Sequence, residues 1–360
     1  MRRVTGAPQL PSATDQWDAL SGSAGPLTTP AWHRAWTETL GSAYRLRVLT
    51  ATRGGRLCGV LPLVQRRGRP WRLEALGARE LGEPVDAAWA DSDAVRLLAE
   101  QLIALRRPVL LNRVLADSPL VAGLVAAGRG QAVVNVRPAI GAPRLTLDDS
   151  WLDPERHFNA GRRSDLRRAR RRAEAFGAPE FSEVSPGPHQ FGPLLDEFLA
   201  AEGAGWKGRS GTALSESPRL ERFYRRFGEL SAGAGELRLA FLRLGGELAS
   251  AQLAVERGGR SWLLKIGYDE RFARCSPGTL LMLHTTRSAA ARGLRSVEFL
   301  GSEAPWTRTW TTDVRPCVNV RCFAGGWAPA AAADDLTRYG VRRVLHAPRF
   351  TALAGRPARD

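Results

Sequence analysis

Ser261-Trp262-Leu263-Leu264-Lys265-Ile266-Gly267-Tyr268-Asp269-Glu270-Arg271-Phe272-Ala273-Arg274-Cys275-Ser276-Pro277-Gly278-Thr279-Leu280-Leu281 reads as a strand, a turn and the start of a helix. Trp262, Leu264, Ile266 and Tyr268 fall on one face of the strand, and Leu263, Lys265, Gly267 and Asp269 on the other. Both faces are partly apolar, which suits a central strand covered by helices, with Gly267 admitting a close neighbour. The helix continues over 278–292 with small Ala, Thr and Ser side chains, Gly293 stops it, and 296–300 forms the next strand. Upstream, strands at 237–244 and 247–255 flank Gly245-Gly246, and Gly258-Gly259 turns the chain into 261–268. Helices are predicted at 190–202 and 217–230. From 203 to 310 the order is therefore helix, helix, three strands, turn, helix, strand and an aromatic-rich loop. A helix entered directly from a strand end offers backbone amides that suit the phosphates of a carrier cofactor.

Working outward, the chain divides near residue 150. The first part predicts a helix at 31–40 carrying Trp32 and Trp36, strands at 44–49 and 56–64 around Arg53-Gly54-Gly55, and a strand at 71–76. A helix at 94–105, a strand at 109–111, a helix at 119–127 and a strand at 131–136 follow, and 138–149 reads as a connector ending in a strand. His33, beside Trp32, reads as structural or exposed rather than catalytic. In the second part a strand at 178–184 follows the basic helix described below.

The 360 residues suffice for two domains, each with a core. A hydrophobic share of 44% argues against wholesale disorder. The chain has no long charge-free apolar run, and Met1-Arg2-Arg3-Val4 leads into Pro and Ser rather than an export segment, so a cytoplasmic protein is expected. Cys58, Cys275, Cys317 and Cys322 form no CxxC pair, so neither disulfides nor structural zinc is expected, and no metal is assigned. The formal charge of +16 comes almost wholly from arginine, since Lys207 and Lys265 are the only lysines. Such a surplus attracts polyanions, with compositional bias as the competing source.

The basic run Gly161-Arg162-Arg163-Ser164-Asp165-Leu166-Arg167-Arg168-Ala169-Arg170-Arg171-Arg172 predicts a helix with one narrow apolar stripe of Leu166, Ala169, Ala173 and Phe176, ended by Gly177. A solvated face and phosphate contact are the two readings; Arg162, Arg163, Arg167, Arg168, Arg170 and Arg171 are the candidate tRNA contacts. No aromatic side chains interleave with them to stack bases.

The segments Phe158-Asn159-Ala160-Gly161-Arg162-Arg163, Gly205-Trp206-Lys207-Gly208-Arg209, Gly267-Tyr268-Asp269-Glu270, Ser276-Pro277-Gly278-Thr279 and Glu298-Phe299-Leu300-Gly301, with Trp306 and Trp310, occur in the order that resembles the CelD-like branch of the GNAT acetyltransferases. They are similar, more distantly, to the Fem ligases, which use aminoacyl-tRNA. The resemblance implies an α/β fold of two tandem GNAT-like domains with mixed central sheets flanked by helices. It implies a degenerate N-terminal domain over 1–150 that shapes the acceptor cleft, a donor-binding domain over 151–330, and a tail over 331–360. The usual GNAT pyrophosphate loop carries more glycine than Arg271-Phe272-Ala273-Arg274-Cys275-Ser276-Pro277-Gly278, which keeps one. That departure leaves aminoacyl-tRNA open as a donor beside acetyl-CoA or another acyl-CoA, while the missing coiled-coil arm favours the CelD-like reading.

The implied chemistry is acyl transfer to a primary amine of a small molecule; the alternatives are an aminoacyl-tRNA-dependent amide-forming transferase and a non-catalytic binding protein. Candidate cofactor contacts are Lys265, Ile266, Gly267, Arg271, Arg274, Ser276, Gly278 and Thr279. Asp269, Glu303 and His284 are candidate bases, Tyr268 a proton donor to the leaving thiolate, and amides near 265–268 candidate oxyanion donors. Trp206, Lys207, Arg209, Trp306 and Trp310 are assigned to the acceptor side. Cys275 has no His or acid tied to it in sequence, and covalent catalysis is set aside.

Overall fold

Among the described residues, period-two alternation becomes thirteen strands that pair into one sheet. The computed structural model describes residues 9–22, 24–205 and 213–326, the backbone of 2–7, and positions 329, 332, 333 and 337. Trp206, Lys207 and Arg209, and most of the 331–360 tail, lie outside the described residues.

The strands are β1 (Arg2–Ala7), β2 (Tyr44–Arg53), β3 (Arg56–Arg66), β4 (Leu73–Ala75), β5 (Ala88–Trp89), β6 (Val109–Leu115), β7 (Ala132–Thr146), β8 (Glu180–Val184), β9 (Leu237–Leu244), β10 (Glu247–Arg257), β11 (Arg260–Tyr268), β12 (Ser296–Glu298) and β13 (Val314–Ala324). Their order across the sheet is β1-β2-β3-β4-β6-β13-β7-β12-β11-β10-β9-β8, with β5 beside β3. The helices are α1 (Thr14–Leu20), α2 (Pro30–Thr39), α3 (Ser92–Ala104), α4 (Pro119–Gly128), α5 (Ala160–Glu174), α6 (Pro188–Gly203), α7 (Pro218–Gly233), α8 (Pro277–Ala291) and α9 (Pro305–Arg308). No helix of the described residues is long and apolar enough to cross a membrane.

Two separate central sheets were expected, and this is corrected: the mixed sheet is continuous. The joint is made by β7, which pairs with β12 through 144–146 and with β13 through 132–143. The stretch read as a connector from Pro138 is thus the middle of a strand. Pro138 stands opposite Val318, and the register shifts nearby, between Arg315 and Cys317, which is how a ladder tolerates a residue without an N–H. Strand β13, late in the chain, inserts between β6 and β7 of the first part.

The predicted hairpin turns form as read: Gly54-Gly55 and Gly245-Gly246 all have positive φ, which side-chain-bearing residues resist. Helices α3 and α4 bury Leu98, Leu102, Leu120 and Leu124 against Leu61, Leu63 and Leu111 of the sheet. In the second part, α6 and α7 cover one face and α5 and α8 the other. Helix α2 joins the first of these cores. The Trp32 ring meets Phe223 and Phe227 of α7 edge-on, with centroids 4.8 and 4.9 Å away. Truncating a buried aromatic of this kind costs about 3–5 kcal/mol, so this contact is a major tie between the two parts. His33 on α2 is buried with Nδ1 2.8 Å from the Thr29 carbonyl oxygen, and burial lowers its pKa to about 4. The four cysteines are buried.

Candidate active site

β11 and β12 run parallel over three pairs, Arg260 with Ser296, Ser261 with Val297 and Trp262 with Glu298. β12 then ends, while β11 continues to Tyr268. A cavity of about 550 Å³ occupies the fork, a size ordinary for a small-molecule site. Residues Leu263 to Tyr268 form one wall, and the pairing of Leu253 with Lys265 and Ala254 with Leu263 makes Leu264 an extra residue on β11. Such a bulge bends a strand and re-aims its side chains. Gly267 permits the back of this wall: a Cβ there would lie 2.6 Å from the Glu202 Cα, so α6 packs directly on the strand.

The opposite wall is the entry to α8. Ser276 is left-handed (φ 48°), and its carbonyl accepts the Thr279 and Leu280 amides at 3.0 and 3.1 Å. Pro277 brings no N–H, and it occupies the helical turn where that donor is not needed. A Cβ on Gly278 would reach only ordinary contact, 3.9 Å from Ser250 Oγ and Tyr268 Cδ1. Protein packing therefore does not demand glycine here; its bare backbone opens onto the cavity. Phe299, Trp306 and Trp310 complete the lining, with Trp306 edge-on to Phe299 at 5.4 Å and Trp310 against Phe158 at 5.5 Å.

Among the described residues, four charged ones line the cavity: Glu83, Arg162, Glu202 and Lys265. Lys265 Nζ lies 4.9 Å from the centre of the Tyr224 ring. Its pKa is raised, first by the Tyr224 oxygen, against the opposing cost of burial, with Glu83 and Glu202 adding to the rise. Burial raises the Tyr224 pKa, Lys265 opposing it. Glu202 is buried and accepts the Leu214 amide at 2.9 Å. Glu83 accepts the Gly301 amide at 3.0 Å and Arg113 Nη1 at 3.4 Å, both on Oε2. Burial raises its pKa, and Arg113, Lys265 and Gly301 pull the other way. Arg113, itself at φ 59°, also donates to the carbonyls of Gly82, Ile140, Gly141 and Gly301, knotting the first part of the chain to the fork. Arg162 Nε is enclosed and has no hydrogen-bond partner among the described residues.

Of the residues named from sequence, Lys265, Ile266, Gly267, Tyr268, Ser276, Gly278, Thr279, Trp306 and Trp310 line this cavity. Arg271, Arg274, Asp269, Glu303 and His284 do not. Asp269 is buried beneath its own turn, accepting Arg271 N at 2.8 Å and Arg271 Nε at 2.9 Å; burial raises its pKa, but these bonds outweigh it and the net shift is downward. Arg271 is exposed and also pairs with Glu247 at 2.7 Å. Arg274 is exposed, its carbonyl accepting Arg172 Nη1 at 3.1 Å. Glu303 is an exposed acid bonded to Arg308 at 2.6 Å. His284 stacks on Phe181 at the β8 edge, 3.6 Å from Glu183, and burial lowers its pKa. Cys275 is buried, which raises its thiol pKa.

Helix α5 begins at Asn159, whose side chain accepts the Arg162 amide at 2.8 Å. Its arginines divide: Arg163 donates to the Phe158 carbonyl, Arg168 pairs with Asp165 and Arg170 with Glu155, while Arg167 and Arg171 are exposed. Sequence reasoning passed over Glu83, Glu202, Tyr224 and Arg113. None sits in a motif, and only the fold brings Glu83, Glu202 and Tyr224 beside Lys265 and Arg113 against Glu83.

Residues 160–308 match the family model described as "Acetyltransferase (GNAT) domain". Over that stretch the fold is of the GNAT acetyltransferase type. The match covers the fork, the α8 entry and the basic helix, and it supports acyltransferase activity in general terms. Solved structures are similar in fold over most of the chain. FemX is 12% identical, with 87% of this chain and 96% of that chain covered and a TM-score of 0.57. The C-terminal domain (DUF2156) of a putative lysylphosphatidylglycerol synthetase from Agrobacterium fabrum is 11% identical, covering 90% and 95%, with a TM-score of 0.55. A conserved protein of unknown function from Bacteroides thetaiotaomicron VPI-5482 is 10% identical, covering 90% and 100%, also with a TM-score of 0.55. At these identities the likeness is one of fold. No curated protein matches the sequence.

Proposed function

We propose that this chain is an N-acyltransferase that moves an acyl group, acetyl in the simplest case, from an acyl-CoA thioester to a primary amine of a small molecule. The single observation that carries the reading is the fork: a roomy cavity opens where β12 stops beside β11, and it runs onto a helix entry with a bare glycine. The donor set fits coenzyme A. The Gly278 amide and the Ser276 and Thr279 hydroxyls, at a helix start, offer donors for its pyrophosphate, Arg162 carries an enclosed nitrogen lacking a partner among the described residues, and Leu263 to Tyr268 provide a track for the pantetheine arm. The second part of the chain thus holds the donor, and the first part shapes the acceptor side by contributing Glu83.

Acyl-CoA, when bound, supplies the activated thioester carbonyl. The chain supplies the rest. Glu83 takes the proton from the acceptor ammonium at Oε1, because Oε2 is already held by Gly301 and Arg113 and burial has made this carboxylate a better base. The freed amine forms the new C–N bond, the C–S bond breaks, and the thiolate leaves. Lys265, kept charged by its neighbours, stabilises negative charge developing at the carbonyl oxygen; the Tyr268 hydroxyl protonates the departing sulfur and recovers its proton from the nitrogen, which sheds its second one on becoming an amide. The bases first considered, Asp269, Glu303 and His284, have no place in this scheme because none lines the cavity. The site lies where the two parts of the chain meet, the usual position for a cleft.

The test is turnover of purified chain with acyl-CoA and a panel of primary amines, followed by thiol release, alongside a thermal shift with acyl-CoA alone. Release dependent on both substrates is the expected result. Turnover with charged tRNA but not with acyl-CoA would replace the donor, and binding of acyl-CoA without thiol release would remove the catalytic reading.

A further inference from the structure

A second pocket, of about 230 Å³, lies at the same fork on the opposite face of the sheet. The chain leaving β12 alternates between the two: Phe299 and Gly301 line the large cavity, Glu298 and Leu300 the small one. Leu27, Trp89, Trp262 and Leu300 give it apolar walls. Its polar lining is unusual. Arg260 from β11 and Arg315 from β13 both face it, yet neither guanidinium donates a hydrogen bond to a described residue. Their nearest carboxylates, Glu298 and Asp117, stand 3.7 and 3.6 Å away, beyond hydrogen-bonding range.

Further cations crowd the same spot. Arg144 stands opposite Glu298 across the β7–β12 pairing. The Arg260 pKa is lowered, first by burial, with Glu298 opposing and Arg315, Arg295 and Arg144 lowering it further. Each of these neighbours is otherwise occupied: Arg144 bonds Asp313 at 2.8 Å and Arg295 bonds the Gly258 carbonyl at 2.8 Å. The two that line the pocket are ion-paired at a distance but make no hydrogen bond to a described residue. A guanidinium presents its donors as a planar fork that matches the paired oxygens of a carboxylate or phosphate, and such bonds are strong where water is partly excluded.

We propose that this pocket binds the carboxylate or phosphate group of a small molecule, with Arg260 and Arg315 as its forks and the apolar body of the ligand against Trp89 and Trp262. The site is distinct from the large cavity, and the inference does not depend on acyl-CoA being the donor.

The experiment is calorimetric titration of the full chain with inorganic phosphate and with phenyl phosphate. Saturable binding is expected, tighter for phenyl phosphate because of the apolar walls. Arg315→Gln and Arg260→Gln should each weaken it at least tenfold, Arg315→Lys by less, and Arg162→Gln and Arg167→Gln should leave it within twofold. Arg260→Gln strips a buried Glu298 of its cation and risks misfolding, whereas Arg315→Gln loosens an exposed Asp117 and removes a more distant charge from Asp86, so the latter keeps the test decisive. Binding that survives both substitutions at the small pocket, binding lost with Arg162→Gln, or no saturable binding would overturn the proposal. Inhibition of turnover by phenyl phosphate then identifies the source: competition with the amine means an acceptor with an acidic end, and non-competitive inhibition a separate effector, the site standing in either case.

Discussion

Glu83 Oε2 accepts the Gly301 amide at 3.0 Å across a sequence separation of 218 residues. That bond fixes a carboxylate of the first part of the chain at the fork of the second, with Arg113 holding the same oxygen. Replacing Glu83 by Gln keeps the shape and removes the base. The expected outcome is a kcat lower by about 100-fold or more, with acyl-CoA binding unchanged. Because burial raises the Glu83 pKa, the acidic limb of the wild-type pH–rate profile should sit above the ordinary glutamate range, and Glu83→Gln should abolish it. Unchanged kcat would remove Glu83 from the chemistry.

Arg162 should matter for the donor rather than the acceptor. Arg162→Gln takes away the enclosed guanidinium that lines the cavity without a partner at Nε among the described residues. Acyl-CoA affinity is expected to fall by about tenfold, the loss of one charge-assisted contact, with the amine KM little changed. Calorimetry with coenzyme A and steady-state kinetics read the two separately.

Gly267→Ala tests the packing behind the site. The new methyl would sit 2.6 Å from the Glu202 Cα, and backbone on both sides leaves nothing flexible to yield. A loss of about 1–3 kcal/mol in a urea titration is expected. Gly278→Ala, by contrast, fits with contacts of 3.9 Å and should leave stability unchanged while weakening acyl-CoA.

Asp86 gives a pH signature to stability. Burial raises its pKa from 3.8 to about 7, although Ser118 Oγ and the Ala87 amide donate to it at 3.0 and 2.8 Å. Between those values the folded chain holds a proton that the unfolded chain has released. Its contribution is therefore fully present below pH 3.8 and is lost as the pH rises to about 7. About 4 kcal/mol is involved, and Asp86→Asn should flatten that part of the urea-midpoint profile.

Much of this architecture could be read from local pattern. β11 and α8 were legible because alternation, a Ser-Pro-Gly turn and a glycine stop all act over a few residues, and the cavity wall from Lys265 to Tyr268 came with them. β13 was not: Arg315, Pro316, Asn319 and Arg321 blur its alternation, and its partners lie far back in the sequence. Pro138 hid the middle of β7 in the same way, since a proline argues against a strand until its neighbour is known. Glu83, Glu202 and Tyr224 come from a loop and two helices. Their shared neighbourhood with Lys265 exists only after folding, and no spacing in the sequence encodes it.

The return of β13 to the first part has a consequence for biosynthesis. Strands β6 and β7 leave the ribosome early, but the strand that lies between them ends at Ala324. Until then each presents an open edge that can recruit a foreign strand. Expression of the first 150 residues alone should therefore yield insoluble material, and a full-length chain made slowly should need a chaperone more than a short one of equal stability.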